Sequence, residues 1–173
     1  VCSSDLQAKI TWIGGEDTTS LVLGRGRPFF AKLLNPKKRK LAIPKTVPSD
    51  KIKIHSLKQI PKIPQGPIPF LSKAILHIST ENPIMQESLT KLEDLNNNTL
   101  AIYEKSGKRT EKKIHSVSYE VYSQNSFFLT MHLDGGIPLK HFVSGDNIFP
   151  NVTDLISNKS KLEQFDFTEV TIR

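Results

Sequence analysis

Two alternating runs joined by a two-residue turn constrain this chain more than any other feature. In residues 112–122, Val117, Tyr119 and Val121 fall on one side of an extended backbone, and in residues 126–133 Leu129, Met131 and Leu133 do the same. Side chains alternate between the two faces of a strand, so each run presents one apolar face. Gln124-Asn125 between them leaves room only for a tight hairpin. The two runs are therefore predicted to pair antiparallel, and the rest of the fold must build on that sheet. Further strands are predicted over Gln7 to Gly14, Phe29 to Leu34, Ile68 to Ser79, Leu100 to Glu104 and Phe165 to Ile172. Asn82-Pro83 is expected to open a helix with Met85, Leu89, Leu92 and Leu95 on its core face, ended by Asn96-Asn97-Asn98. A short helix is expected over Asn151 to Ser157. The predicted fold class is α+β or α/β: a mainly antiparallel mixed sheet with a few covering helices, not a doubly wound parallel sheet.

Residues 36 to 69 interrupt this pattern with seven prolines and many lysines. Proline has no donor for a ladder, so this stretch is not central sheet. Lys51 to Leu57 alternates and is predicted as one short edge strand, and the remainder of 36–67 reads as a long basic loop insertion. From Arg25 to Lys62 there are twelve Lys or Arg and one acid, Asp50, giving +11. The whole chain carries +7, so the remainder carries −4. A basic block beside a mildly acidic domain suits a polyanion partner, and it equally suits a solvated loop.

The 173 residues suit one domain or most of a larger one, and 37% apolar residues are enough for a core. No apolar run approaches the roughly 20 residues of a membrane span. Cys2 is the one cysteine, which excludes a disulfide framework or a cysteine metal site within one chain and fits a reducing compartment. The opening VCSSDL resembles translated adapter sequence, so residues 1–6 are set aside. Residues 7–173 are then expected to be the C-terminal part of a domain whose gene begins upstream.

The residues alone point to no particular chemistry. His55, His77, His115, His132 and His141 have no metal-ligand spacing, and no P-loop or Ser-His-Asp order is present. Asp17 follows a strand and a Gly pair; Asp146 lies in Ser144-Gly145-Asp146-Asn147; Asp134-Gly135-Gly136 forms a third such group. Turn chemistry accounts for all three. At this level the chain is a basic α+β domain suited to RNA.

Three segments carry more. Gly14-Gly15-Glu16-Asp17 is followed by Leu23-Gly24-Arg25-Gly26-Arg27-Pro28-Phe29 and by the basic Asn35-Pro36-Lys37-Lys38-Arg39. Late in the chain stand Gly136-Ile137-Pro138-Leu139-Lys140-His141-Phe142-Val143-Ser144-Gly145-Asp146 and Pro150-Asn151-Val152-Thr153-Asp154-Leu155. In order and spacing, over roughly residues 8–173, these resemble the archaeal and eukaryotic family of tRNA pseudouridine synthases that act on the T-arm, at uridines 54 and 55. The resemblance implies the pseudouridine synthase catalytic fold. It implies tRNA as partner, no cofactor or metal, a monomer and a cytoplasmic location. It places the nucleophilic aspartate on Asp17, its basic partner on Lys140 and the aliphatic lining of the uracil pocket on Leu155. Arg25 and Arg27 fall on a turn expected to meet the RNA backbone, and Lys37, Lys38 and Arg39 are expected to hold phosphates. The family's stacking tyrosine stands two residues before an alanine. Here Ser72 precedes Ala74 by two, and Phe70, two further back, is the aromatic available. Gly15 replaces the arginine before Glu-Asp, and Pro138 replaces the tyrosine of the late motif.

Those residue types suit the reaction. Isomerisation breaks the C1′–N1 bond of uridine, turns the base and rejoins it through C5. A carboxylate near C1′ acts as nucleophile or stabilises the positive sugar. A cation beside that carboxylate favours its ionised form and orients it. The alternative to an isomerase is a non-catalytic RNA-binding module with the same fold. The presence of both Asp17 and Lys140 favours the enzyme, because a binding module has no use for that pair.

Overall fold

A computed structural model of the chain describes residues 7–14, 26–36, 46–47 and 53–173. Two compact units result, one of Val1–Thr11 with Phe29–Pro67 and the other of Trp12–Pro28 with Ile68–Arg173. In the first, β1 (Gln7–Trp12) and β2 (Phe29–Leu34) form a two-stranded sheet, and β3 (Thr46–Val47) pairs antiparallel with β4 (Ile54–His55). Every side chain of β1 is exposed, so this ribbon buries little apolar surface. The expected edge strand at 51–57 shrinks to Ile54–His55 among the described residues.

The second unit holds the core. Its strands are β5 (Phe70–Thr80), β6 (Thr99–Tyr103), β7 (Arg109–Ser123), β8 (Ser126–Asp134), β9 (Ile148–Phe149) and β10 (Ser160–Ile172). They form one six-stranded sheet in the order β10-β5-β8-β7-β6-β9. Each of these pairs is antiparallel, so the unit is α+β, and the mixed or α/β version of the expectation is not met among the described strands. The hairpin closes as predicted, with Ser123 opposite Ser126.

One face of the sheet is apolar: Ala74, Leu76 and Ile78 on β5, Leu129, Met131 and Leu133 on β8, Ile114 on β7. On β10 the buried apolar residues are Leu162, Phe165, Phe167 and Val170, spaced by three, two and three. Strict alternation would turn half of them outward. Two register shifts, at Leu162/Gln164 and Phe167/Glu169, absorb the extra residues and keep all four inward.

Short helices cover this face: α1 (Gln86–Thr90), a 3-10 turn at Lys91–Leu95, α2 (Leu139–Ser144) and α3 (Val152–Ile156). The first begins later than expected. Met85 is its N-cap and is 70% exposed, so it is not a core residue. Leu89, Leu92 and Leu95 are fully buried. Their uniform spacing of three stays on one face only if the chain tightens to three residues per turn, which explains the 3-10 geometry. Asn151 starts α3 by accepting the Asp154 amide at 2.9 Å. Among the described residues no helix is long and apolar enough to cross a membrane.

Candidate functional site

The N-terminal ends of β5 and α2 meet at a groove of about 390 Å³. Phe70 and Ser72 of β5 line it, together with Leu133 at the end of β8 and Phe165 and Phe167 of β10. Gly136-Ile137-Pro138 and the first turn of α2, including Lys140 and His141, complete the wall. Phe70 and Ser72 are two residues apart, so alternation puts both on the groove side of β5.

The Asp134-Gly135-Gly136 turn fits against Phe70. The Gly135 amide donates to the Phe70 carbonyl at 2.7 Å. A methyl at Gly135 would stand 2.3 Å from two carbons of the Phe70 ring, so the ring lies directly across this glycine. Gly14 approaches the same ring: a methyl there would lie 3.7 Å from Phe70 Cε2. Gly14 has a φ of +85°, a conformation that favours glycine.

Arg27 ties down the stem on which Gly14 sits. Its Nε donates to the Ile13 carbonyl at 3.0 Å, and its guanidinium carbon lies 5.1 Å from the centre of the Trp12 ring. The Ile13 amide donates to Pro28 at 3.0 Å. Arg27 is thus engaged with protein on the edge of the 15–25 segment. Asp17 and Arg25 lie outside the described residues, as do Lys37, Lys38 and Arg39.

Helix α2 was missed from sequence, and it is the element that presents Lys140. Its N-cap, Pro138, has no side-chain cap, so the usual starting signal is absent. Its sequence does carry helical spacing in Leu139, Phe142 and Val143, all buried, and this would have revealed it. Gly145, with φ +91°, ends the helix in the left-handed region. Lys140 itself is exposed at the groove. Leu155 is half-buried on α3 and is not among the residues that line this groove.

The two acids of the other turns do structural work. Ser144 donates to Asp146 Oδ2 at 2.6 Å, and the Asp146 amide donates to the His141 carbonyl at 3.1 Å, which closes the end of α2. Asp134 Oδ2 accepts the Lys113 amide at 2.9 Å. Its Oδ1 lies 3.1 Å from His115 Nε2 and 3.4 Å from an Arg173 nitrogen. Burial pushes the Asp134 carboxyl up, but the Lys113 amide, the His115 hydrogen bond and the Arg173 charge outweigh it and hold the group below its ordinary value. An ionised Asp134 therefore anchors the turn that carries Gly135 and Gly136.

A second cavity of about 400 Å³ is lined by Lys73, Ser116, His132, Glu169 and Thr171, with Leu71 and Ser72. Volume does not separate the two. Chemistry does, since only the first brings an aromatic ring, a lysine and the Gly14 stem together. Among the described residues no group of three or more His, Cys, Asp or Glu is placed to hold a metal ion.

This unit is a small antiparallel α+β domain with a lysine-bearing, aromatic-floored groove at one end of its sheet. Residues 3–171 match the family model described as Pus10, C-terminal. The chain is 44% identical over 166 residues to the tRNA pseudouridine synthase Pus10 of Cenarchaeum symbiosum (strain A), covering 96% of this chain and 41% of that protein. It is 43% identical over 166 residues to the protein of the same name from Nitrosopumilus maritimus (strain SCM1), covering 96% and 43%. The Xenopus laevis protein of that name is 26% identical over 180 residues, covering 92% and 35%. The chain belongs to the Pus10 C-terminal family. It spans about two-fifths of the length of the first two relatives.

Proposed function

We propose that this chain is the catalytic half of a tRNA pseudouridine synthase that isomerises uridine in the T-arm, with Asp17 as the nucleophile and Lys140 as its cationic partner. The observation that carries the reading is the groove shared by Phe70, Ser72 and Lys140, with Gly14 packed on the Phe70 ring. Asp17 is three residues beyond Gly14, and three residues reach at most about 10 Å. A carboxylate on so short a tether has the groove within range. The names of the relatives support the substrate and the reaction class.

In this reading the uridine leaves the RNA stack and enters the groove, at a cost of a few kcal/mol. Phe70 offers a ring face at the edge of the groove, and stacking on an aromatic contributes about 1–3 kcal/mol per base. Ser72, at the family's tyrosine position, contributes only a hydroxyl. Asp17 attacks or stabilises C1′ as the C1′–N1 bond breaks, and Lys140 holds the carboxylate ionised and oriented. A lysine is a point charge, so it fixes that orientation less firmly than an arginine fork. The Leu155 assignment receives no support from the groove lining. Arg27 supports the stem beneath the nucleophile's loop. The basic run Lys37-Lys38-Arg39 supplies phosphate contacts that strengthen binding without reading sequence.

The test is pseudouridine mapping on an unmodified tRNA transcript, with the parent chain and its Asp17→Asn variant. Pseudouridine in the T-arm from the parent alone is the expected result. Comparable turnover by the variant would remove Asp17 from the mechanism. Binding of tRNA by both without any pseudouridine would replace the enzyme with an RNA-binding module of the same fold.

A further inference from the structure

Lys112 occupies a position that strand geometry assigns to an apolar residue. It stands opposite Leu100 in the β6–β7 register and two residues before Ile114, which stands opposite Leu133. Directly opposed residues of antiparallel strands point to the same face. Leu100 and Ile114 are fully buried and Leu133 lines the groove, so Lys112 points to the helix-covered face. Its side chain is half-buried. Its end comes to Gly136: Nζ and Cε lie 3.8 Å and 4.0 Å from where a Cβ on that glycine would stand. Gly136 belongs to the groove wall that also holds Lys140.

The acids nearest in the strands are engaged elsewhere. Glu111 pairs with Arg109 at 2.6 Å. Asp134 is taken by His115, Arg173 and the Lys113 amide on the opposite face. Among the described residues Lys112 has no carboxylate partner. Laying a lysine stem along apolar surface is ordinary, provided the ammonium reaches water or an anion. Here its end lies beside Gly136, a glycine of the wall that also carries Lys140.

We propose that Lys112 is a phosphate-binding residue of the groove, contacting the phosphodiester backbone of the RNA strand that carries the target uridine. Lys112 of β7 and Lys140 of α2 serve different ends: one holds the backbone, the other the carboxylate. This rests on the reading of the groove as an RNA site.

The experiment measures binding of an unmodified tRNA transcript to the full chain across a salt series. The Asp17→Asn background keeps turnover out of the signal. Lys112→Met retains the stem and removes the charge, Lys112→Arg retains the charge, and Lys113→Gln neutralises the neighbouring lysine on the opposite face. One lost phosphate contact lowers the slope of log affinity against log salt by about 0.7 to 0.9. Lys112→Met should show that loss, Lys112→Arg should restore the parent slope, and Lys113→Gln should leave it unchanged. An unchanged slope in Lys112→Met, an equal drop in Lys113→Gln, or a parent that does not bind tRNA each overturns the proposal. Binding through Lys112 by a chain whose parent forms no pseudouridine would sink the enzymatic reading and leave this inference standing. Pseudouridine formation with an unchanged Lys112→Met slope would do the reverse.

Discussion

Gly135→Ala tests whether the Phe70 ring is held where the proposed function needs it. Gly135 does not adopt a left-handed φ, so alanine is acceptable to its backbone and the effect is one of space. The added methyl would stand 2.3 Å from Phe70 Cε2 and Cζ and 2.4 Å from Cδ2. Ordinary contact begins at 3.4 Å, so the ring must retreat by about 1.1 Å or rotate away. Overpacking of this kind costs about 1–3 kcal/mol. A ring driven off the groove also forfeits stacking on the uracil, worth about 1–3 kcal/mol or roughly 5- to 150-fold in the rate at low tRNA concentration. Urea unfolding gives the first quantity, and initial rates of pseudouridine formation below saturation give the second. Phe70→Ala and the double variant close a cycle: with the ring gone, the methyl loses its three nearest clashes, so Gly135→Ala should cost much less in that background. A cost below about 0.5 kcal/mol, or the same cost with and without the ring, would refute the argument.

Three other perturbations probe the supports of the groove. Phe142→Ala removes the fully buried anchor of α2 and should cost about 3–5 kcal/mol in urea unfolding; a loss under about 1 kcal/mol would mean that α2 does not depend on it. Asn151→Ala loses the cap to Asp154 and the donation to Ile148 at 3.1 Å from a fully buried site, so about 1–3 kcal/mol is expected, and stability equal to the parent would contradict the cap. Asp134→Asn tests the pH dependence. A carboxyl held below its ordinary 3.8 stabilises the fold in full above that value and loses the contribution as pH falls through the lower folded value. The parent's advantage over the variant should therefore shrink as pH falls below the ordinary 3.8 toward the lower folded value, whereas a constant gap would show that Asp134 does not titrate as its surroundings dictate.

The sheet was legible wherever local pattern and pairing agree. The 117–133 hairpin is fixed by two alternating runs and a turn of two residues, and β5 appears within two residues of its expected start. Helix starts were harder. Asn82-Pro83 carries a good signal, but Thr80 and Asn82 are held by hydrogen bonds to the Asn125 and Asn158 regions, and the chain turns helical only after Met85. Helix α2 has no side-chain cap at its N-terminus and was hidden inside a motif. In the groove, alternation already places Phe70 beside Ser72. It says nothing of Gly135, which reaches Phe70 through the β5–β8 register. Lys112 was equally hidden: its inward direction follows from its partner Leu100, and no property of 109–123 taken alone names that partner. Lys140 was visible only through the family motif, because an exposed lysine carries no local signature.

The two irregularities of β10 have a further consequence. This strand is the last of the six, thirteen residues long, and among the described residues nothing pairs with its outer edge. A flat edge of that length is a template on which another chain can add strands. Each extra residue kinks the strand and breaks the regular row of outward amides and carbonyls, and Lys161, Glu163 and Glu169 add charge along it. The spacing that keeps four apolar residues inward thus also protects the molecule against aggregation. Deleting the extra residue at either shift would leave the four apolar residues inward, since their spacing would then alternate, but it would straighten the strand there and lengthen the regular edge open to pairing.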